Sequence, residues 1–166
     1  ALSSETMPAA VRDAPDGAVY EAGLAATQAL TEIARRVSAN GGAILAIDYG
    51  YGETQTGETL QAVARHQFAD PLDHPGEVDL SAHVDFGALA EAAHATGLKT
   101  MSLAAQGEFL TRLGINERAA QLIRSNPGEL ANIEAGVHRL TDAAQMGDLF
   151  KVFCAHSPGL EPLGFA

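Results

Sequence analysis

Apolar positions in this chain follow two spacings, and the switch between them divides it into elements. The central stretch is Gly41-Gly42-Ala43-Ile44-Leu45-Ala46-Ile47-Asp48-Tyr49-Gly50-Tyr51-Gly52-Glu53. A glycine pair is followed by an unbroken apolar run, and then by an abrupt aromatic, acidic and Gly-rich turn. A run without alternation predicts a strand buried on both faces, from about Ala43 to Tyr49. Upstream, Leu24, Ala26, Leu30, Ile33, Ala34 and Val37 recur at helical spacing, with Glu32, Arg35 and Arg36 opposite. This predicts a helix over 24–38 that stops at Asn40-Gly41.

The remaining elements follow from caps and breakers. Residues 1–16 are small, polar and interrupted by proline, and read as loosely ordered. Ala14-Pro15-Asp16-Gly17 is a turn signal, and Ala18-Val19-Tyr20 reads as a short strand. Residues 50–82 carry few periodic signals apart from a short ordered piece at 59–63. Such a length of irregular chain usually forms a lid or binding loop. Asp85 is placed to cap a helix from Phe86 to about Ala95, ended by Gly97. A second strand is expected over 98–104 and a short helix from Gln106, stopped by Gly114. Asn116 is placed to cap a helix over 117–124. Another helix opens at Asn126-Pro127 and runs to about Ala143, broken by Met146-Gly147. A third strand spans 149–155, and the tail from Pro158 is irregular. The order helix, strand, loop, helix, strand, helices, strand is an α/β pattern within one domain, residues 1–166, with no internal repeat.

Composition narrows the classes of function. Apolar residues make up 46% of the 166, enough to fill a core, which argues against wholesale disorder. The formal net charge is -11, a field that repels phosphate backbones and anionic lipid surfaces, so nucleic acid and membrane are poor partners. The one cysteine, Cys154, lies in a predicted strand and reads as a small buried hydrophobe.

Candidate chemistry gathers at the end of the central strand and before the 86–95 helix. In open α/β sheets, ligands sit beyond the carboxyl ends of the strands, where Asp48, Tyr49, Tyr51 and Glu53 fall. A carboxylate ending a buried strand either caps a turn or faces a cation, and Asp48 has both options. His83 and Asp85 offer a cation site or proton transfer. The local alternative is that Asp85 caps the helix and His83 bonds the loop backbone. Gly52 to Thr59 has the glycine spacing of a phosphate loop, but Glu58 stands where a lysine is needed. Asp70, Asp73, His74, Glu77, Asp79, His83 and Asp85 are dense in ligand types. They lack zinc-helix spacing and read as a solvated acidic loop, with no metal expected.

Several segments, in order, carry a family resemblance. They are the 41–51 stretch, Thr59-Leu60-Gln61-Ala62-Val63, Asp70-Pro71-Leu72, and Pro75-Gly76-Glu77-Val78-Asp79-Leu80-Ser81-Ala82-His83-Val84-Asp85-Phe86. Gln106-Gly107-Glu108-Phe109-Leu110, Leu113-Gly114-Ile115 and Met146-Gly147-Asp148-Leu149-Phe150-Lys151-Val152 complete the set. Together they resemble the family of the MidA protein and the mitochondrial complex I assembly methyltransferase. The resemblance implies a Rossmann-like, seven-stranded fold that uses S-adenosylmethionine, of which this chain is similar to the C-terminal portion, strands five to seven with flanking helices. The last strand would run antiparallel between the other two. The implied activity is methylation of a protein arginine or another nitrogen acceptor, linked to respiratory complex I assembly. Asp48, Tyr49, Tyr51, Glu53, His83 and Asp85 would line the acceptor side.

The resemblance also implies what these residues do not supply. The family's Gly-rich cofactor turn and its following acidic residue match nothing in this sequence, so cofactor binding is expected to need an N-terminal half or a partner chain. One edge of the 43–49 strand is then expected to be unpaired, which favours association, including homo-oligomers. The alternative is a non-catalytic binding or assembly module that keeps half of the fold. The chain begins at Ala1 rather than Met, consistent with a processed product or a fragment. Its expected location is the cytoplasm if bacterial and the mitochondrial matrix if eukaryotic.

Overall fold

The computed structural model describes residues 7–65, 67–73 and 76–165. A single helical turn, α1 (Ala9–Arg12), carries the buried Val11 within the stretch expected to be loose; residues 1–6 lie outside the described part. Residues 18–20, expected as a short strand, have no regular structure, and the Val19 carbonyl accepts from the Gly57 N–H at 2.9 Å. Helix α2 (Leu24–Asn40) ends at Gly41, whose N–H donates to the Val37 carbonyl, and β1 (Ala43–Tyr51) follows directly.

Within the stretch 50–82, expected to be a lid or binding loop, three short strands form a small antiparallel sheet. Strands β2 (Gln61–Ala64), β3 (Gln67–Ala69) and β4 (Asp79–Ser81) pair in the order β3-β2-β4. Strands this short are below the length at which alternation becomes visible. The turn between β2 and β3 holds a left-handed residue that is not glycine, Arg65 at φ 50°, so no turn signature marked it. After β4 comes β5 (Val84–Asp85), then α3 (Phe86–His94), capped by the Asp85 carboxylate as expected.

The expected second strand is split into β6 (Lys99–Thr100) and β7 (Ala104–Ala105). Both pair antiparallel with β8 (Phe150–His156). Thr100 faces Ala155 and Ala104 faces Val152, so this side carries one residue more than β8 between the two pairings, a bulge that interrupts the strand. Between them and β8 lie α4 (Gln106–Arg112), α5 (Ile115–Ser125), a 3₁₀ turn at Pro127–Glu129, α6 (Leu130–Thr141) and α7 (Met146–Leu149). Helix α5 starts after Gly114 rather than at Asn116, because Gly114 takes the left-handed conformation, φ 85°, that redirects the chain.

The main sheet has the order β5-β1-β8-β6, and β8 runs antiparallel to both neighbours, in the position implied by the resemblance. The strand buried on both faces is β8, not β1. Phe153 and Ala155 pack with Leu30, Ala34, Phe86, Leu89 and Ala93 of α2 and α3, while Val152 packs with Ala104 and Phe109 on the other face. Cys154 is buried within β8, and burial pushes its thiol pKa up. In β1 only Ile44 and Ala46 meet the α2–α3 core. Leu45 and Ile47 are 53% and 43% exposed, because the described helices cover a single face there. Residues 43–49 also have no partner on the edge away from β8 among the described residues.

The Phe86 and Phe153 rings stack at 6.0 Å and join α3 to β8 at the centre of this core. Truncating Phe153 to Ala should cost about 3–5 kcal/mol through lost transfer energy and a residual cavity, read as a lowered urea midpoint at unchanged slope.

Candidate functional site

The site grows from the point where β5 meets the end of β1. The two strands pair in parallel through Gly50 with Val84 and Tyr51 with Asp85. A side chain at Gly50 would place its Cβ 2.1 Å from the Val84 carbonyl oxygen, so only glycine lets the strands approach. That approach sets His83 and Asp85 beside Tyr49 and Tyr51. The Tyr49 ring meets His83 edge-on at 5.6 Å and Phe150 edge-on at 5.5 Å.

A second tie comes from Glu21. Its Oε1 accepts from the backbone N–H groups of Thr59 and Leu60, both at 2.8 Å, and its Oε2 accepts from the Thr59 hydroxyl. The same hydroxyl accepts from the His83 backbone N–H at 2.9 Å. One carboxylate thus joins the segment before α2, the irregular segment leading into β2, and the entry to β5. Desolvation alone would raise the Glu21 pKa. The Thr59 hydroxyl, the two amides and nearby His83 outweigh it and lower the pKa below the usual value.

These ties enclose a cavity of about 420 Å³ lined by Tyr20, Glu21, Leu24, Leu60, His83 and Asp85, among others. Asp85 is buried, and its Oδ1 accepts from the Ala88 N–H at 2.9 Å as the cap of α3. Its Oδ2 is buried without a hydrogen-bond partner. Burial, and then the Asp85 charge, raise the pKa values of the Tyr20 and Tyr51 phenols. Tyr51 therefore stands beside the acidic group although it does not line the cavity.

The residues expected at the site divide. Tyr49, Tyr51, His83 and Asp85 come together. Asp48 alternates to the other side of β1 from Tyr49 and Tyr51, and its Oδ1 turns back to its own strand, 2.8 Å from the Tyr49 N–H. Glu53 is exposed in the bend after β1. Tyr20 and Glu21, absent from the sequence-based set, complete the cluster. Their only local signal was a tyrosine and an acid just before a helix. Within the acidic loop, Asp70 makes an Asx turn with Leu72, and His74 lies outside the described residues. Among the described residues, no three His, Cys, Asp or Glu side chains form a group that could hold a metal ion.

The strand order, with β8 antiparallel between β1 and β6 and helices against the sheet, is that of part of a Rossmann-like α/β fold. A family model described as "Putative S-adenosyl-L-methionine-dependent methyltransferase" matches residues 2–104, and the chain belongs to that family. It is 38% identical over 130 residues to "Protein arginine methyltransferase NDUFAF7 homolog, mitochondrial" of Drosophila melanogaster, covering 77% of this chain and 29% of that protein. The human protein arginine methyltransferase NDUFAF7 is 32% identical over 126 residues, 75% of this chain and 28% of the relative. The chain thus spans under a third of the length of these curated relatives. A crystal structure of a Burkholderia thailandensis protein bound to S-adenosyl-homocysteine superposes with a TM-score of 0.68 at 30% identity. The superposition covers 81% of this chain and 37% of that one.

The described residues do not by themselves fit S-adenosylmethionine. At the glycine-bearing junction of β1 and α3, a Cβ at Gly87 would lie 3.0 Å from the Thr54 nitrogen and 3.1 Å from the Gly52 oxygen. That close packing needs glycine at 87, and no Gly-rich strand-to-helix turn with a ribose-binding carboxylate stands among the described residues.

Two outcomes follow from the ties. Replacing Gly50 with Ala should separate β5 from β1 and lower the thermal midpoint by several degrees, with loss of the Tyr49–His83 contact seen in ring-proton NMR shifts. Replacing Glu21 with Gln should cost most at neutral pH. The folded-state pKa is lowered, so the carboxylate stabilises above its unfolded pKa and loses that contribution as pH falls through the folded pKa. Urea unfolding of both proteins should converge in acid.

Proposed function

We propose that the chain forms the acceptor side of an S-adenosylmethionine-dependent protein arginine methyltransferase. The observation that carries this reading is the superposition on a protein crystallised with S-adenosyl-homocysteine, at 30% identity over 81% of the chain. The arginine acceptor comes from the names of the relatives, and the net charge of -11 suits a basic target. The resemblance to the complex I assembly methyltransferase points to a subunit of that complex as target. The relatives' names point to mitochondria for a eukaryotic source, and a bacterial source points to the cytoplasm. No described helix is long and apolar enough to cross a membrane.

In this reading the methyl donor is held by a further part of the polypeptide or by a partner chain. S-adenosylmethionine supplies an electrophilic methyl group when bound. The residues of this chain hold and orient the acceptor nitrogen; the nitrogen–methyl bond would form as the donor's methyl–sulfur bond breaks, with S-adenosylhomocysteine as leaving group and the nitrogen's proton passing to water. Tyr49, Tyr51, His83 and Asp85 line the acceptor side, while Asp48 and Glu53 stand outside it. A second reading, a binding or assembly module without catalysis, is supported by the lack of a Gly-rich strand-to-helix turn among the described residues.

The test uses the native full-length polypeptide with methyl-labelled S-adenosylmethionine and an arginine-rich protein acceptor. Label is expected in methylarginine after hydrolysis, and His83→Ala should lower kcat/KM about tenfold or more by misplacing the acceptor. No donor binding and no label in any acceptor would support the binding-module reading instead.

A further inference from the structure

The cavity between α2, α3 and β5 has a chemistry of its own. Asp85 is 8% exposed and lines it. One carboxylate oxygen is committed to capping α3, while the other is buried and unpartnered. A buried carboxylate oxygen without a donor is costly, so a donor that reaches it gains more than it would at the surface. Among the described residues, none of those lining the cavity is Lys or Arg. The other polar lining groups are Tyr20, Glu21, Thr27 and His83, and both oxygens of Glu21 are already engaged by Thr59 and Leu60. Leu24, Leu60 and Leu89 supply apolar walls. The missing complement is therefore a cation on an aliphatic stem.

Resting on the arginine methyltransferase reading, we infer that this cavity receives the guanidinium of the acceptor arginine, with Asp85 as its anionic anchor. A guanidinium carries several N–H donors in one plane, so one of them can reach the single free Asp85 oxygen while the flat face lies against an aromatic ring, which a compact ammonium does not do. The leucine walls suit the three-methylene stem. Tyr20 offers a ring beside the cation. The torsion that orients the Asp85 carboxylate is soft and nearly two-fold, so either oxygen serves the cap while the other meets the ligand. Asp85 is a specificity-determining contact, and Glu21 a positioning residue that holds the wall through Thr59.

The test is calorimetric binding of ethylguanidinium, n-butylammonium and uncharged ethylurea to the native full-length polypeptide and to Asp85→Asn. Asparagine caps helices as well as aspartate does, so the variant keeps α3. Ethylguanidinium is expected to bind preferentially, and Asp85→Asn to weaken it by about tenfold or more, the worth of one charge-assisted hydrogen bond. Leu60→Trp, at an exposed rim position, is a second variant that should narrow the cavity and weaken ethylguanidinium binding even if Asp85→Asn fails to fold. Equal binding of the three probes, or unchanged affinity in the variants, overturns the site. Methyl transfer to arginine with unchanged ethylguanidinium affinity in Asp85→Asn overturns the site and leaves the reaction standing. Asp85-dependent binding without methyl transfer leaves the guanidinium site standing and removes the reaction.

Discussion

One carboxylate, Glu21, holds the functional end of this molecule together. It collects the amides of Thr59 and Leu60 and the Thr59 hydroxyl, and that hydroxyl takes the His83 amide in turn. Three segments far apart in sequence meet there. None of them is long enough to be fixed by its own secondary structure. β5 has two residues, and 57–60 has no repeating structure at all. Hydrogen bonds to an ionised group are stronger than those between neutral groups, so a single acid can do what a strand ladder does elsewhere.

The sheet shows a matching division of labour. β8 lies between two antiparallel neighbours with helices on both faces, and it carries the densest burial, from Val152 to His156. It is the mechanical centre. β1 lies beside it with one face on the α2–α3 core and the other carrying exposed Leu45 and Ile47. Its edge over 43–49 is open among the described residues. An apolar strand with a free edge and a bare face is the kind of surface that proteins normally cover. The chain spans under a third of its curated relatives, so there is ample further sequence in them to do so.

The cleft draws on both features. β1 delivers Tyr49 and Tyr51, and the Gly50–Val84 approach brings His83 and Asp85 to them. The Glu21 tie closes the far wall with Tyr20 and Leu60. The chain's excess of acidic residues is not spread evenly in effect: most are solvated, while Asp85 is buried with an oxygen in want of a donor. Burial, rather than the count of charges, sets that one residue apart.

By itself, the sequence determined the elements whose signals repeat. The helical spacing of Leu24 to Val37, the apolar run at 43–47, the Asp85 cap and the apolar stretch ending at Ala155 were all legible, because each places several residues under one local rule. The family motifs around Asp48 and His83 were legible too. Only the tertiary structure decided which strand is buried on both faces, because burial depends on what packs above and below a strand and not on its own composition. It also decided that Gln61–Ala64, Gln67–Ala69 and Asp79–Ser81 pair into a sheet, since strands of three or four residues have no period to read. Finally, it separated Asp48 from Asp85. Both are acids beside tyrosines or aromatic rings in sequence, but strand alternation turns the first away and the two-residue pairing of β5 brings the second in. Tyr20 and Glu21 entered the site through contacts nearly forty residues apart, a distance over which no local pattern carries information.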